Sequence, residues 1–338
     1  MCAAPVARRR CLQALAAAAL PVPSTRGRAE SKITIRLSHV VARQTPKGLA
    51  LERLRQRLHA LSQGRIQVEI YPNSLLYGDA DEMQALQLGA VDMLAPSLSK
   101  FGPLGFPEFE LFDLPFLFDS RAQVRRVTHG AVGRDLLALL ARQRMVGLGY
   151  LDNGFKHMSA NRPLLVLPDY AGLRMRVQSS RVLAHQMRAL GARPVELAFG
   201  ETRRALATGV VDGTENPSSN FWTQHMNEVQ TDLSLTRHGY LGYAVVVHQR
   251  FWSALAAADR RLVRQAVDEA LEWGNAIAQR ENDDALAALR ASGTTRIHPI
   301  DETQRQRLRQ ATRQVYQGLQ GRIGQHWLDR VQAALARG

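Results

Sequence analysis

The chain has 338 residues, 45% hydrophobic and 22% charged, enough to bury a large core in about two domains and too apolar for an intrinsically disordered protein. A formal charge of +14 invites a nucleic-acid reading, but residues 1–29 hold five of the 44 basic side chains and no acid, which leaves 39 against 30 acidic ones. Those 39 are spread over many segments beside Asp and Glu, the pattern of a solvated surface, so no nucleic-acid partner is expected.

Residues 1–29 read as an export signal: Arg8, Arg9 and Arg10, an apolar run over 11–22, then a polar exit with small Gly27 and Ala29. Both cysteines, Cys2 and Cys11, lie inside it, so the exported product carries no thiol. RRRCLQAL loosely resembles a twin-arginine signal, leaving Sec and Tat export open, and Cys11 lacks the small-residue context of a lipid anchor. No later stretch approaches the ~18 apolar residues of a membrane span, so direct membrane insertion is not expected.

From residue 32 the chain alternates strands and helices. KITIRLS (32–38) has strand periodicity, with His39 at its exit. Thr45 and Pro46 open a helix whose buried stripe is Leu51, Leu54, Leu58 and Leu61, and Gly64 ends it. RIQVEIY, a helix over 79–88 and the strand AVDMLA complete a β-α-β-α-β unit, the grammar of a parallel sheet flanked by helices. An aromatic loop (101–118), two helical segments and the strand MVGLGYL (145–151) follow.

GLRMRV, a helix over 179–190, PVEL, a helix over 201–208 and VVDG then repeat the unit. LQLGAVDM and LATGVVDG even read alike, each a helix end, a glycine cap and a strand beginning Val-Asp. HGYLGYAVVVH (238–248) is a long strand able to return to the first unit. Residues 259–291 form a helix that either braces both units or breaks near Gly274. Ile297 and Ile300 mark a short strand, and two amphipathic helices finish the chain.

In GLRMRV, Leu173, Met175 and Val177 alternate with Arg174 and Arg176, so one face packs and two guanidiniums point the other way. Ser179 and Ser180 follow as N-cap residues, placing a cation beside free backbone N–H groups, which suits a carboxylate. Taken alone, the stretch equally suits an edge strand with solvated arginines. HExxH, GxxxxGK[ST] and GxSxG are absent and no spacing among ten histidines argues for a metal, so neither an enzyme nor a cofactor is expected.

GLRMRVQSS, FGETRRALATGVVDGTENP, SNFWTQ with EVQ, and HGYLGY, in that order, resemble the DctP-type solute-binding proteins of tripartite ATP-independent periplasmic (TRAP) transporters, from about residue 33 to the C-terminal helices. The resemblance implies an α/β, two-lobed periplasmic-binding-protein-like fold, each lobe a mainly parallel sheet flanked by helices, with a long helix bracing both. Lobe I would take 30–153 and about 242–281, lobe II 154–241 and about 282–338. It implies a monomer in the periplasm that captures an organic acid anion by cleft closure and delivers it to TRAP permease subunits. SHVVARQTPKG, SLSKFG and NGFKHMSAN look most like members that bind four-carbon dicarboxylates such as malate, succinate or fumarate.

Residue by residue, Arg176 matches the family's carboxylate clamp and Asn216 its ligand-binding amide, while Lys156 stands where many members have an arginine or lysine. Ser179 has the spacing of a further polar contact, and His39, Ser97, Phe199 and His238 fall at more variable pocket positions, with Lys47 as an additional cation. Asn216 also reads as a plain Asn-Pro turn, Ser179 as an N-cap, and His39 and Lys47 as a capped, solvated loop. The alternatives are the same fold binding a sugar acid, monocarboxylate or aromatic acid, a periplasmic ligand sensor for a membrane kinase, and a periplasmic hydrolase.

Overall fold

A computed structural model describes residues 1–3 and 32–336; the expected signal, beyond its first three residues, lies outside them. Nine strands form one mixed sheet: β1 (Ile33–Ser38), β2 (Ile66–Tyr71), β3 (Met93–Leu94), β4 (Met145–Ala160), β5 (Arg174–Val177), β6 (Arg193–Glu196), β7 (Gly213–Asn216), β8 (Asp232–His248) and β9 (Arg296–Pro299). Their order is β2-β1-β3-β8-β4-β7-β5-β6, with β9 beside β8.

At one end β1 pairs parallel with β2 and β3; at the other β5 pairs parallel with β6 and β7. The repeat read from LQLGAVDM and LATGVVDG is therefore a repeat of connectivity, and it extends to side chains. In the first half Asp92 Oδ2 accepts from the backbone N of Arg36 at 2.9 Å and from its Nε at 3.1 Å. In the second, Asp212 Oδ2 accepts from the N and Nε of Arg174 at 2.8 and 3.0 Å. Gly89 and Gly209 precede them with φ of 74° and 68°, the left-handed cap that lets each helix turn into its strand.

Helix Pro46–Leu61 starts where Thr45 Oγ accepts from Gly48 N at 3.0 Å, and it buries Leu51, Leu54 and Leu58 against β1, roughly 1.5–3 kcal/mol for each leucine. Helix Arg181–Ala189 does the same in the second half with Leu183 and Met187, capped by Ser180 rather than Ser179.

Several elements differ from the sequence expectation. The strand expected over 145–151 runs to Ala160, because the polar side chains that follow Leu151 are buried with partners instead of turning to solvent. Asp152 meets Arg121 at 2.8 Å, and the Asp152 N–H is capped by Asn275 Oδ1 at 2.7 Å. β3 has only two residues, and the strand expected at VVDG begins three residues later, at Gly213.

Helix Ala257–Ser292 is continuous over 36 residues, about 54 Å, and packs on helix Pro46–Leu61, on β4 and on helix Ser218–Thr223. Gly274 does not break it; a Cβ there would lie 2.6 Å from the Ala50 Cβ, so the glycine admits the neighbouring helix. Three terminal helices replace the expected two, Glu302–Ala311, Arg313–Ile323 and Gln325–Ala336, the last pair divided at Gly324 with φ 94°. No helix among the described residues is long and apolar enough to cross a membrane.

Candidate ligand site

Where β4 and β8 pass between the two halves of the sheet, a small cavity of about 360 Å³ including its mouth is lined by Lys47, Ser97, Lys156, Arg176, Phe199 and Asn216. The Thr45 cap turns Lys47 inward from the first turn of its helix. Its Nζ donates to Ala95 O at 3.0 Å, lies 3.9 Å from the centre of the Tyr243 ring, and is sealed, with the residue 1% exposed. The solvated-loop alternative for Lys47 is thereby excluded.

Arg176 sits two residues along β5 from Arg174 on the same strand face, but their environments differ. Arg174 is exposed and ion-paired with Asp212, whereas Arg176 is 2% exposed. Both Nε and Nη2 of Arg176 donate to Leu197 O, at 2.9 and 2.8 Å, and the Phe199 ring lies 5.7 Å from the guanidinium carbon. The non-packed face of the sequence reading is thus an interior polar wall, and burial lowers the Arg176 pKa.

Lys156 lies on β4 and reaches Glu215 of β7, which the sequence reading missed: Nζ to Oε1 is 2.7 Å, and the other Glu215 oxygen accepts from His238 Nε2 at 2.7 Å. His238 Nδ1 lies 2.6 Å from Thr236 Oγ1, so a neutral ring that donates through Nε2 satisfies both contacts. Burial pushes Glu215 up, but Lys156 and His238 outweigh it and hold the carboxyl at about 2. His238 thus stands behind Glu215 instead of on the cavity wall.

Lys100, also missed, is buried between Asp79 and Glu82. Asp79 in turn accepts the Phe199 backbone N–H, and Gln178 Nε2 donates to Ser97 Oγ at 2.9 Å, so two hydrogen bonds tie the first half of the sheet to the second across the cavity. Asn216 is the last residue of β7 and buried; its Nδ2 lies 3.3 Å from Thr214 Oγ1. His39 is buried beside Lys47, held neutral at about 3 by burial and then by Lys47 and Arg43, and neither ring nitrogen has a partner among the described residues. Ser179 bonds Glu196 and faces an outer cleft of about 1070 Å³ including its mouth, which shares Arg176 with the inner cavity. A hollow of about 1520 Å³ including its mouth, between β4 and the long helix, has Arg264 already paired with Asp268 and holds none of these groups.

The ionic inventory of the cavity is therefore uneven. Lys156 has Glu215 and Lys100 has two acids, but no carboxylate among the described residues lies within ion-pair distance of Lys47 or Arg176. A sealed cation without a counter-ion is costly, so the cavity is built for an anion.

Comparison with known proteins gives the family. The family model "Bacterial extracellular solute-binding protein, family 7", DctP, matches residues 37–322. The chain is 46% identical to the C4-dicarboxylate-binding periplasmic protein DctP of Rhodobacter capsulatus, over 97% of this chain and 99% of that one. A crystal structure of a TRAP periplasmic solute-binding protein from Sulfurospirillum deleyianum with bound succinate superposes with a TM-score of 0.87 at 41% identity, covering 90% of this chain and 99% of that one. One from Pseudomonas aeruginosa with bound L-malate gives 0.82 at 36% identity, covering 85% and 99%. The repeated β-α-β-α-β halves, the anion cavity between them and these likenesses place the chain in the DctP family of extracellular solute-binding proteins, the solute-binding components of TRAP transporters.

Proposed function

We propose that this protein captures a four-carbon dicarboxylate, such as succinate, malate or fumarate, between two lobes and hands it to TRAP permease subunits, working as a periplasmic monomer after loss of an export signal within residues 1–29. The observation that carries the reading is the pair of sealed cations without counter-ions, Arg176 from the second half of the sheet and Lys47 from the first. Two cations lining one cavity suit a ligand with a carboxylate at each end. The planar Arg176 fork takes one carboxylate, Lys47 the other, and Asn216 offers an amide donor. The binding of succinate and malate by relatives at 41% and 36% identity supports the same ligand class.

The lobes divide at about 153/154, 241/242 and 281/282, and the bond from the Phe199 amide to Asp79 and that from Gln178 to Ser97 form as they close. A thermal-shift and calorimetry screen tests the ligand class. Succinate, malate and fumarate should raise the melting temperature, by about 2.7 kcal/mol of stability at a hundredfold excess over Kd, while butyrate should not. Stabilisation by butyrate or galactonate with none by the four-carbon diacids would overturn the reading. Small-angle scattering should give a smaller radius of gyration with succinate than without.

A further inference from the structure

Two spaces meet at Arg176. The inner cavity and the outer cleft have Asp79, Lys100, Arg176 and Gln178 in common, so these four side chains form the wall between them. An acid gripped by Arg176 has two ways to run its chain, inward to Lys47 or outward through that wall. The outward way is closed by two contacts made between opposite halves of the sheet: Asp79 accepts the Phe199 backbone N–H, and Gln178 Nε2 donates to Ser97 Oγ at 2.9 Å. Lys100 holds the Asp79 carboxylate and has Glu82 as a second partner, so the acceptor is fixed in the first half and the amide it meets belongs to the second. The two spaces also differ in chemistry. The inner one holds Lys47, a cation without a counter-ion, whereas the outer one is apolar at Met83, Pro103, Leu104 and Leu197 and acidic at Glu196 and Glu201. Among the described residues its cations are the two in the shared wall, so it has room for a neutral tail and no place for a second carboxylate.

We infer that Asp79, assisted by Gln178, is a specificity-determining partition: it confines the acid held by Arg176 to the inner cavity and shuts out monocarboxylates with a long apolar tail, which would lie in the outer cleft. The inference rests on the dicarboxylate reading and deepens it, since the cations select for two carboxylates and the partition rejects acids that need only one. Each methylene of such a tail buried against Met83, Pro103, Leu104 and Leu197 favours binding, so without the partition the outer cleft rewards the acid that the inner cavity refuses.

The test is calorimetry with succinate, hexanoate and adipate on wild type and three variants. Wild type should bind succinate and neither six-carbon acid. Asp79→Ala should gain hexanoate binding, its Kd falling about 30-fold or more relative to that of succinate. Adipate, whose second carboxylate meets Glu196 and Glu201, should gain far less. Gln178→Ala should move the hexanoate-to-succinate ratio the same way by a smaller factor. Asp79→Asn, which keeps the shape and an acceptor for the Phe199 amide, should stay within about threefold of the wild-type ratio. A ratio unchanged in Asp79→Ala, an equal gain for adipate, or Asp79→Asn as permissive as Asp79→Ala overturns the inference and leaves the ligand class standing. So does loss of both succinate and hexanoate from variants that melt as wild type does, which makes these side chains closure contacts alone. Should Asp79→Ala not fold, the ratio in Gln178→Ala decides. Absence of binding by any four-carbon diacid in wild type overturns the dicarboxylate reading itself.

Discussion

The two halves of the sheet share a frame and differ in what they hang on it. Arg36 and Arg174 occupy one position of the repeat and bind Asp92 and Asp212 in the same way. Two residues on, Ser38 pairs with Leu94 in the first half and Arg176 with Thr214 in the second; one step further Ala95 answers to Glu215. The arginine–aspartate clamp that shapes the strand ends is thus common to both, while the buried cavity-lining and ion-paired groups fall on positions where the halves diverge. The first half answers Arg176 with Lys47, from its helix and not from its strand. Repetition explains the frame; the chemistry lies in the departures from it.

The largest expected effect comes from making the second half resemble the first at Glu215. Glu215→Ala strands Lys156 without its partner in a sealed site and should lower unfolding free energy by about 3–5 kcal/mol, read as a fall in urea midpoint. In wild type the same carboxylate, held at about 2, makes a contribution that is complete above pH ~4.5 and is lost as pH falls toward 2. Acid unfolding of a Glu215→Gln variant should accordingly show a shallower pH dependence across that window; an identical profile would remove Glu215 from the acid transition.

Next is Arg176→Ser, which installs the first half's residue at the clamp. Loss of ~2–5 kcal/mol, roughly 30- to 4,000-fold in Kd for succinate, is expected by calorimetry, and Arg176→Lys should recover little of it. Wild-type affinity in Arg176→Ser would show that the clamp is misassigned. The smallest effect tests the shared frame: Asp92→Asn and Asp212→Asn should each cost about 1 kcal/mol in stability, equal within about 0.5, with succinate affinity changed less than threefold. Unequal costs, or an affinity effect from Asp212 alone, would break the equivalence.

Much of the frame is legible in the amino-acid sequence, because alternation in KITIRLS, RIQVEIY and GLRMRV and the Thr45-Pro46 start are local signals. What escapes it depends on partners far along the chain. The strand expected to end at Leu151 continues through Asn153, which lies buried within β4, its Nδ2 2.9 Å from Asn220 Oδ1 and 2.8 Å from Tyr243 Oη, and its carbonyl accepts from Asn282 at 2.7 Å. The alternation places Arg174 and Arg176 on one face but carries no sign that one is exposed and the other sealed. Glu215, Lys100 and Asp79 escape because a lone acid or lysine has a pattern only once its partner is known. The adjacency of Glu215 to Asn216 in a short polar strand is the one available hint.

The route of β8 has a consequence for how the chain is made. β3 finds its antiparallel partner at Val246 and Val247, more than 150 residues later, and β4 is paired by β8 along almost its whole length. At about 5–20 residues per second, synthesis of that interval takes roughly 8–30 s. Throughout it the N-terminal half, with β1, β2 and their helices already made, lacks the strand that completes its sheet. Such long-range pairing slows folding, since loop closure must precede the contacts that reward it. A nascent chain of this topology stays extensible until its last third emerges and β8 is available to complete the sheet.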